Sequence, residues 1–145
     1  MRVMIDMDGV LCDLAAAYER ARRDHPNVAY PQSIPGIFEA LDPIDGAIAA
    51  VNRLRNHHDV WVLSAPSVRN PHCYTEKRLW IEAKFDLDFA YRLILTHDKS
   101  LVVGDVLIDD HISGKGQEHW AGRLIHFGSP RFPGWSQVEA ALINS

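Results

Sequence analysis

The sequence predicts an α/β fold in which a parallel sheet is covered on both faces, forming a single domain over residues 1–145. Three observations carry that expectation. Short apolar, β-branched runs recur at "RVMI", "DVWVLSAP", "YRLILT", "LVVGDVLIDD" and "GRLIHF". Segments of helical spacing and propensity alternate with them, which is the pattern of βαβ units. Polar residues cluster where the apolar runs stop, at Asp6/Asp8, Ser64, Thr96 to Lys99 and Asp109/Asp110. In such sheets ligands bind beyond the carboxyl ends of the strands.

Each element has its own signal. "RVMI" followed by "DGV" reads as a buried strand ending in a turn. "LCDLAAAYERARRD" favours helix through Ala, Leu, Glu and Arg and stops before Pro26, with Asp13 as a turn former or helix cap. Residues 24–43 hold Pro26, Pro31, Pro35, Pro43 and Gly36, so a small cap or linker insertion is expected there instead of a long helix or central strand. Ala47, Val51 and Leu54 stand at helical spacing ahead of the strand "DVWVLS". "YTEKRLWIEAKF" reads as a helix with Leu79, Trp80 and Ala83 on its apolar face and basic residues elsewhere. The apolar pieces on either side of Gly104 precede Asp109 and Asp110. Ser136 and Glu139 in "SQVEAALI" have capping-box spacing for a closing helix.

Composition narrows the function. At 145 residues, 47% hydrophobic, the chain has room for one core and not for two ordinary domains. Its net charge of −4 lacks the basic field of a duplex or membrane binder. Small anionic substrates fit if positive charge is local. Cys12 and Cys73 form no CxxC pair and read as small buried hydrophobes, and the eight histidines lack zinc-binding spacing. No signal-peptide apolar core precedes Asp6 and no later run is long enough to span a bilayer, so a cytoplasmic setting with no membrane partner is expected. A homodimer stays open. "SGKGQ" has the wrong spacing for a phosphate-binding NTPase loop.

Four strand ends thus offer two acids, a hydroxyl, a lysine and two more acids. That set suits phosphoryl transfer: carboxylates hold a hard cation such as Mg²⁺, while a hydroxyl and an ammonium hold the phosphate oxygens. Four convergent carboxylates without a cation would repel one another.

Here the chain resembles the haloacid dehalogenase-type phosphatases, with "DMDGV" as first motif, Ser64 in "VLSAP" as second, Lys99 in "THDKS" as third and "LIDD" as fourth. More narrowly, "DMDGVLCD", "LSAPS", "YTEKRLWIEAKF" and "LTHDKSLVVGDVLIDD" are similar to the 5′(3′)-deoxyribonucleotidase, or 5′-nucleotidase type C, family. The resemblance runs from Arg2 to about His111. It implies a Rossmann-like three-layer parallel sheet with a short, reduced cap, and a Mg²⁺-dependent phosphomonoesterase acting on (deoxy)nucleoside monophosphates. It also implies roles. Asp6 would be the nucleophile that forms an aspartyl-phosphate, and Asp8 the acid and then the base. Asp6, the Asp8 backbone carbonyl and Asp110 would hold Mg²⁺, with Asp109 beside them or as an alternative ligand. Ser64 and Lys99 would bind phosphate, and Lys77 would approach the phosphate or sugar.

The sequence departs from the family in two places. Its cap segment is short, leaving Phe38, Tyr30 and Leu14 as a partial apolar wall, and Ala65 stands where the family often has a second hydroxyl. Two other readings compete. A phosphatase for another small phosphomonoester, or for a terminal phosphate on nucleic acid, keeps the same chemistry. A phospho-receiver signalling domain also uses acids, a hydroxyl, a lysine and Mg²⁺, but its phosphorylated aspartate ends a middle strand, whereas Asp59 begins one here.

Overall fold

The computed structural model describes residues 1–144. In chain order it contains β1 (Arg2–Ile5), α1 (Leu14–Asp24), a 3-10 turn (Pro31–Ser33), α2 (Ala47–Arg55), β2 (Asp59–Ser64), α3 (His72–Lys84), α4 (Leu87–Ala90) and β3 (Leu93–Leu95). A second 3-10 turn (Lys99–Leu101), β4 (Val106–Asp109), a third 3-10 turn (Gln117–His119), β5 (Arg123–His126) and α5 (Trp135–Ile143) complete it. The strands form one parallel sheet in the order β3-β2-β1-β4-β5. The alternating elements seen in the sequence thus give the expected α/β architecture. The first strand lies at the centre, where the strand order reverses direction, and this is where ligand crevices open in such sheets.

Strand alternation sorts the core into two unequal halves. Val3, Ile5, Val60, Val62, Val106, Ile108 and Ile125 point into the main core with residues of all five helices. The opposite face carries a smaller cluster of Met4, Leu63 and Leu107, against which Trp61, Ile94, Val102, Trp120 and Leu124 pack. Register explains the grouping, since Met4 lies opposite Trp61 and Leu107, Leu63 opposite Ile94, and Leu107 opposite Leu124. Val102 and Trp120 come from irregular connections, so loops and 3-10 turns cover this face while helices cover the other.

Several elements differ in detail from the sequence expectation. Helix α1 begins at Leu14 because Asp13 caps it, its carboxylate accepting the Ala16 N–H at 3.1 Å. Helix α3 buries Cys73, Glu76, Lys77, Trp80 and Ile81, while Ala83 is exposed and Leu79 only half-buried. This is the i, i+3, i+4, i+7, i+8 stripe of a core-facing helix, with two charged residues in it. The short α4 has no apolar repeat to announce it; it is nucleated by Asp86, whose carboxylate accepts the Phe89 N–H at 2.7 Å. Leu101 and Val103, on the first apolar piece before Gly104, belong to no strand and are exposed. The capping box at Ser136 does not form, because the N-cap is Gly134, two residues earlier, so that Ser136 lies inside α5, and Glu139 turns outward to Arg53, at 2.5 and 2.8 Å.

Between Asp24 and Pro43 the only regular element among the described residues is the 3-10 turn at Pro31–Ser33. The segment's C-terminal end returns to the start of α1: the Asp13 N–H donates to the Asp42 carbonyl and the Ile44 N–H to the Leu11 carbonyl, both at 2.8 Å, so α1 and the segment after it together form one excursion from the body. No helix among the described residues is long and apolar enough to cross a membrane.

Candidate active site

The site begins with the turn after β1. The Asp6 N–H still donates to the Ile108 carbonyl at 2.8 Å, so Asp6 is anchored to β4 at the end of the central strand. The chain then turns sharply: the Met7 carbonyl accepts the N–H groups of Val10, Leu11 and Cys12, and Gly9 takes a φ of +81°. A Cβ at Gly9 would lie 2.3 Å from the Asp110 Oδ2, so only glycine lets β1 and β4 bring their acids this close.

Lys99 organises the acids. Its ammonium, 2% exposed, donates to the Asp6 Oδ1 at 2.7 Å and to the Asp109 Oδ2 at 2.6 Å. Burial alone would make the ammonium easier to deprotonate, but the two carboxylates outweigh it and hold the Lys99 pKa above its ordinary value. Burial pushes the Asp6 carboxyl well above the usual carboxylate range, with Lys99 opposing and Asp109 and Asp8 adding to the rise. Asp109 is fully occupied, its Oδ1 accepting the His111 N–H at 2.9 Å and its Oδ2 accepting Gln117 Nε2 at 3.2 Å besides Lys99. The Asp110 Oδ1 is buried with no hydrogen-bond partner, and burial raises its carboxyl despite a hydrogen bond with Asp6.

Asp6, Asp109 and Asp110 each present an oxygen, all within 4.8 Å of one another. Three hard oxygen donors, one of them buried and unpartnered, fit a small divalent cation. Of the two adjacent acids, Asp110 has the free oxygen.

The Asp8 carboxylate is held on both sides. Lys77, whose side chain is fully buried, donates to its Oδ2 at 2.7 Å, and the Cys12 thiol lies 3.5 Å from its Oδ1. Burial opposes charge on Lys77, but Asp8 more than compensates and the net shift is upward. The ammonium also sits 5.2 Å from the centre of the Phe38 ring. Ser64, at the end of β2, is 1% exposed and its hydroxyl has no partner.

Above these groups opens a cleft of about 300 Å³ lined by Asp6, Asp8, Lys99 and Asp109 on its floor and by Leu14, Tyr18 and Phe38 on its apolar side. Gln32, Ser67 and Lys115 also line it. A larger hollow of about 560 Å³ lies at the opposite ends of the strands around Arg2, His57 and Asp59, and has no acid cluster of this kind.

The structure therefore gathers Asp6, Asp8, Lys99, Asp109 and Asp110 at one place, with Lys77 behind Asp8 and Ser64 buried at the neighbouring strand end. Of the expected apolar wall, Phe38 and Leu14 reach the cleft, whereas Tyr30 lies outside it, stacked under the Arg69 guanidinium at 3.9 Å. Sequence reading missed Gln117 and Tyr18. Tyr18 stands one helical turn after Leu14 on the same face of α1, a spacing that predicts it. Burial first, and then the Asp8 charge, push its phenol up to about 12. Gln117 lies in an irregular connection with no periodic signal.

Comparison with known proteins adds to this geometry. The family described as 5′ nucleotidase, deoxy (pyrimidine), cytosolic type C protein matches residues 27–133. A protein of Vibrio phage KVP40 named as a 5′(3′)-deoxyribonucleotidase is 38% identical over 97% of this chain and 83% of its own length. The human cytosolic-type 5′(3′)-deoxyribonucleotidase is 34% identical over 81% of this chain and 74% of its own. Among solved structures, a haloacid dehalogenase-like family hydrolase from Xanthomonas campestris superposes with a TM-score of 0.65, at 12% identity, over 97% of this chain and 93% of that one. A hydrolase from Streptococcus pneumoniae TIGR4 gives a TM-score of 0.52 at 10% identity, covering 89% and 93%. These two show the fold.

Proposed function

We propose, from the premise that this chain belongs to the type C 5′(3′)-deoxyribonucleotidase family, that it is a phosphoric monoester hydrolase acting on deoxynucleoside monophosphates. The observation that carries the reading is the Lys99 ammonium bridging Asp6 and Asp109 at the floor of the cleft, 2.7 and 2.6 Å away, with Asp8 alongside. A buried carboxylate fixed by a cation, beside a second carboxylate of different environment, is the arrangement that separates a nucleophile from an acid.

In this reading an Asp6 carboxylate oxygen attacks phosphorus, and the bond from phosphorus to the sugar oxygen breaks. Asp8 gives its proton to that departing oxygen. Asp8 then takes a proton from a water whose oxygen attacks the aspartyl-phosphate, which releases inorganic phosphate and restores Asp6. Lys99 and Ser64 hold non-bridging phosphate oxygens, and the unpartnered Ser64 hydroxyl is available for this without breaking a bond of the resting protein. Lys77 adds positive charge on the phosphate or sugar side from behind Asp8. Asp6, the Asp8 backbone carbonyl and Asp110 would hold Mg²⁺, with Asp109 supporting through Lys99 and Gln117. When bound, that ion supplies charge neutralisation for the approaching phosphate and the acid cluster. Residues 24–43 serve as a reduced cap, with Phe38 as its contribution to the cleft wall.

A phosphate-release screen over nucleoside monophosphates, sugar phosphates and 5′-phosphorylated oligonucleotides tests the reading. Expected is Mg²⁺-dependent turnover on several deoxynucleoside 5′-monophosphates, with modest discrimination among bases, abolished by chelator and by Asp6→Asn. Equal efficiency on sugar phosphates, or preference for an oligonucleotide end, would move the substrate class and leave the chemistry. A single stoichiometric phosphorylation without turnover would favour the receiver alternative.

A further inference from the structure

Helix α3 carries a second buried charge that the reaction does not use. Glu76, 5% exposed, turns its Oε1 toward the insertion and accepts the backbone N–H groups of Phe38 and Glu39 at 3.1 and 3.2 Å. Its neighbour Lys77 holds Asp8 at 2.7 Å and sits 5.2 Å from the Phe38 ring. One turn of one helix therefore grips the same residue twice, by its backbone and by its ring, and ties both to Asp8. Farther along α3, the Trp80 indole N–H donates to the Leu41 carbonyl at 2.7 Å.

The wall needs such an anchor. Residues 36–40 belong to no helix or strand, so the N–H groups of Phe38 and Glu39 must find acceptors outside regular structure. A neutral side chain would satisfy them less strongly than a carboxylate, whose hydrogen bonds are the charge-assisted kind. Burying a carboxylate for a structural loop alone is expensive. Here the bonded residue lines the same cleft as Asp6, Asp8 and Lys99, where a nucleoside carried on the phosphate would have to fit against it.

We infer that Glu76 is a positioning residue for substrate selectivity: by fixing the Phe38 backbone it sets the distance between the apolar wall and Asp8, and so favours substrates with a nucleoside behind the phosphate. This rests on the nucleotidase reading above. Glu76 is not among the residues that line the cleft, so its effect is confined to substrates that reach the wall.

The test compares a deoxynucleoside 5′-monophosphate with para-nitrophenyl phosphate, whose small ring demands little of the wall. Glu76→Ala is expected to raise KM for the nucleotide about tenfold, the loss of charge-assisted hydrogen bonds to two amides, while kcat on both substrates and KM for the aryl phosphate stay within about twofold. Glu76→Gln keeps an acceptor and should raise the nucleotide KM by only about threefold, so it restores most of the selectivity. If Glu76→Ala does not fold, the glutamine variant decides alone. Equal losses on both substrates, or an unchanged nucleotide KM in the folded variants, would overturn the inference and leave the nucleotidase reading intact. A wild-type protein that hydrolyses the aryl phosphate and no nucleotide would overturn both.

Discussion

The Lys77 ammonium and the Asp8 carboxylate, 69 residues apart in sequence, form an ion pair of 2.7 Å in which the lysine side chain has no solvent exposure and the aspartate side chain keeps 23%. The pair joins a core-facing helix to the floor of the cleft.

Breaking this pair should therefore be felt in both folding and rate. Removing one partner from a fully buried pair costs about 3–5 kcal/mol, and because water reaches Asp8 the Lys77→Met variant should lose about 1–3 kcal/mol. Its kcat should fall at least about tenfold on nucleotide and aryl phosphate alike, since Asp8 loses its orientation and general acid–base groups contribute about 100-fold or more. Denaturant melts and steady-state rates on the two substrates check this. A wild-type kcat would show that Lys77 is a structural ion only.

Ser64→Ala separates stability from activity in opposite directions. The wild-type hydroxyl is buried without a partner, a cost of about 1–3 kcal/mol that the methyl group does not incur. The variant should melt at the same temperature as the wild type or higher, yet lose about tenfold or more in kcat/KM if the hydroxyl binds the transferring phosphoryl group. Higher Tm with full activity would remove Ser64 from the site.

Gly9→Ala attacks the convergence of β1 and β4 directly. The added methyl would meet the Asp110 Oδ2 at 2.3 Å at a φ of +81° that alanine adopts poorly. A loss of more than about 1 kcal/mol is expected from the backbone alone, and the displaced Asp110 should weaken Mg²⁺ affinity as well. Calorimetric titration with Mg²⁺ measures the second effect. Unaltered Mg²⁺ binding would exclude Asp110 as a ligand.

Far from the cleft, Asp59 accepts from the Arg2 and Arg92 guanidinium groups and from the Trp61 indole. The Arg2 hydrogen bond does most to hold its carboxyl below the ordinary value of 3.8, with burial opposing it and the Arg92 and Trp61 hydrogen bonds assisting. A depressed folded-state pKa gives stability that is present above the unfolded value and is lost as pH falls through the folded one. Asp59→Asn should therefore reduce Tm at pH 7 slightly, and its difference from wild type should shrink progressively as pH falls below the ordinary carboxylate value. The exposed position keeps the effect small. Melting curves at pH 7, 4 and 2.5 check the convergence.

The strand ends were legible because their chemistry is local. An apolar run that stops at Asp6, Ser64 or Asp109 announces both a strand and its functional end, and Asp13 announces a cap. Glu76 was not legible for the opposite reason: a charged residue on a helix reads as solvated unless its partner is known, and its partner lies 38 residues away. Lys77 was legible only through the family resemblance, and its pairing with Asp8, 69 residues away, was not. The same blindness hid Gln117, whose role depends on Asp109. The thin second face of the sheet was hidden because Val102 and Trp120 cover it from irregular connections. Capping at Ser136 failed since Glu139 found a stronger partner in Arg53.

The central place of β1 gives the two sides of the cleft different lifetimes. Asp6 hangs from a strand hydrogen-bonded on both edges, so its amide opens only with the whole sheet. Phe38, on the cleft wall, has its side chain in the main core but its amide in a segment without regular structure, where a side-chain carboxylate is its acceptor, and that amide should exchange with solvent at lower free energy. In the proposed reaction, a wall that opens more readily than Asp6 moves would let substrate enter and product leave without disturbing the geometry of attack.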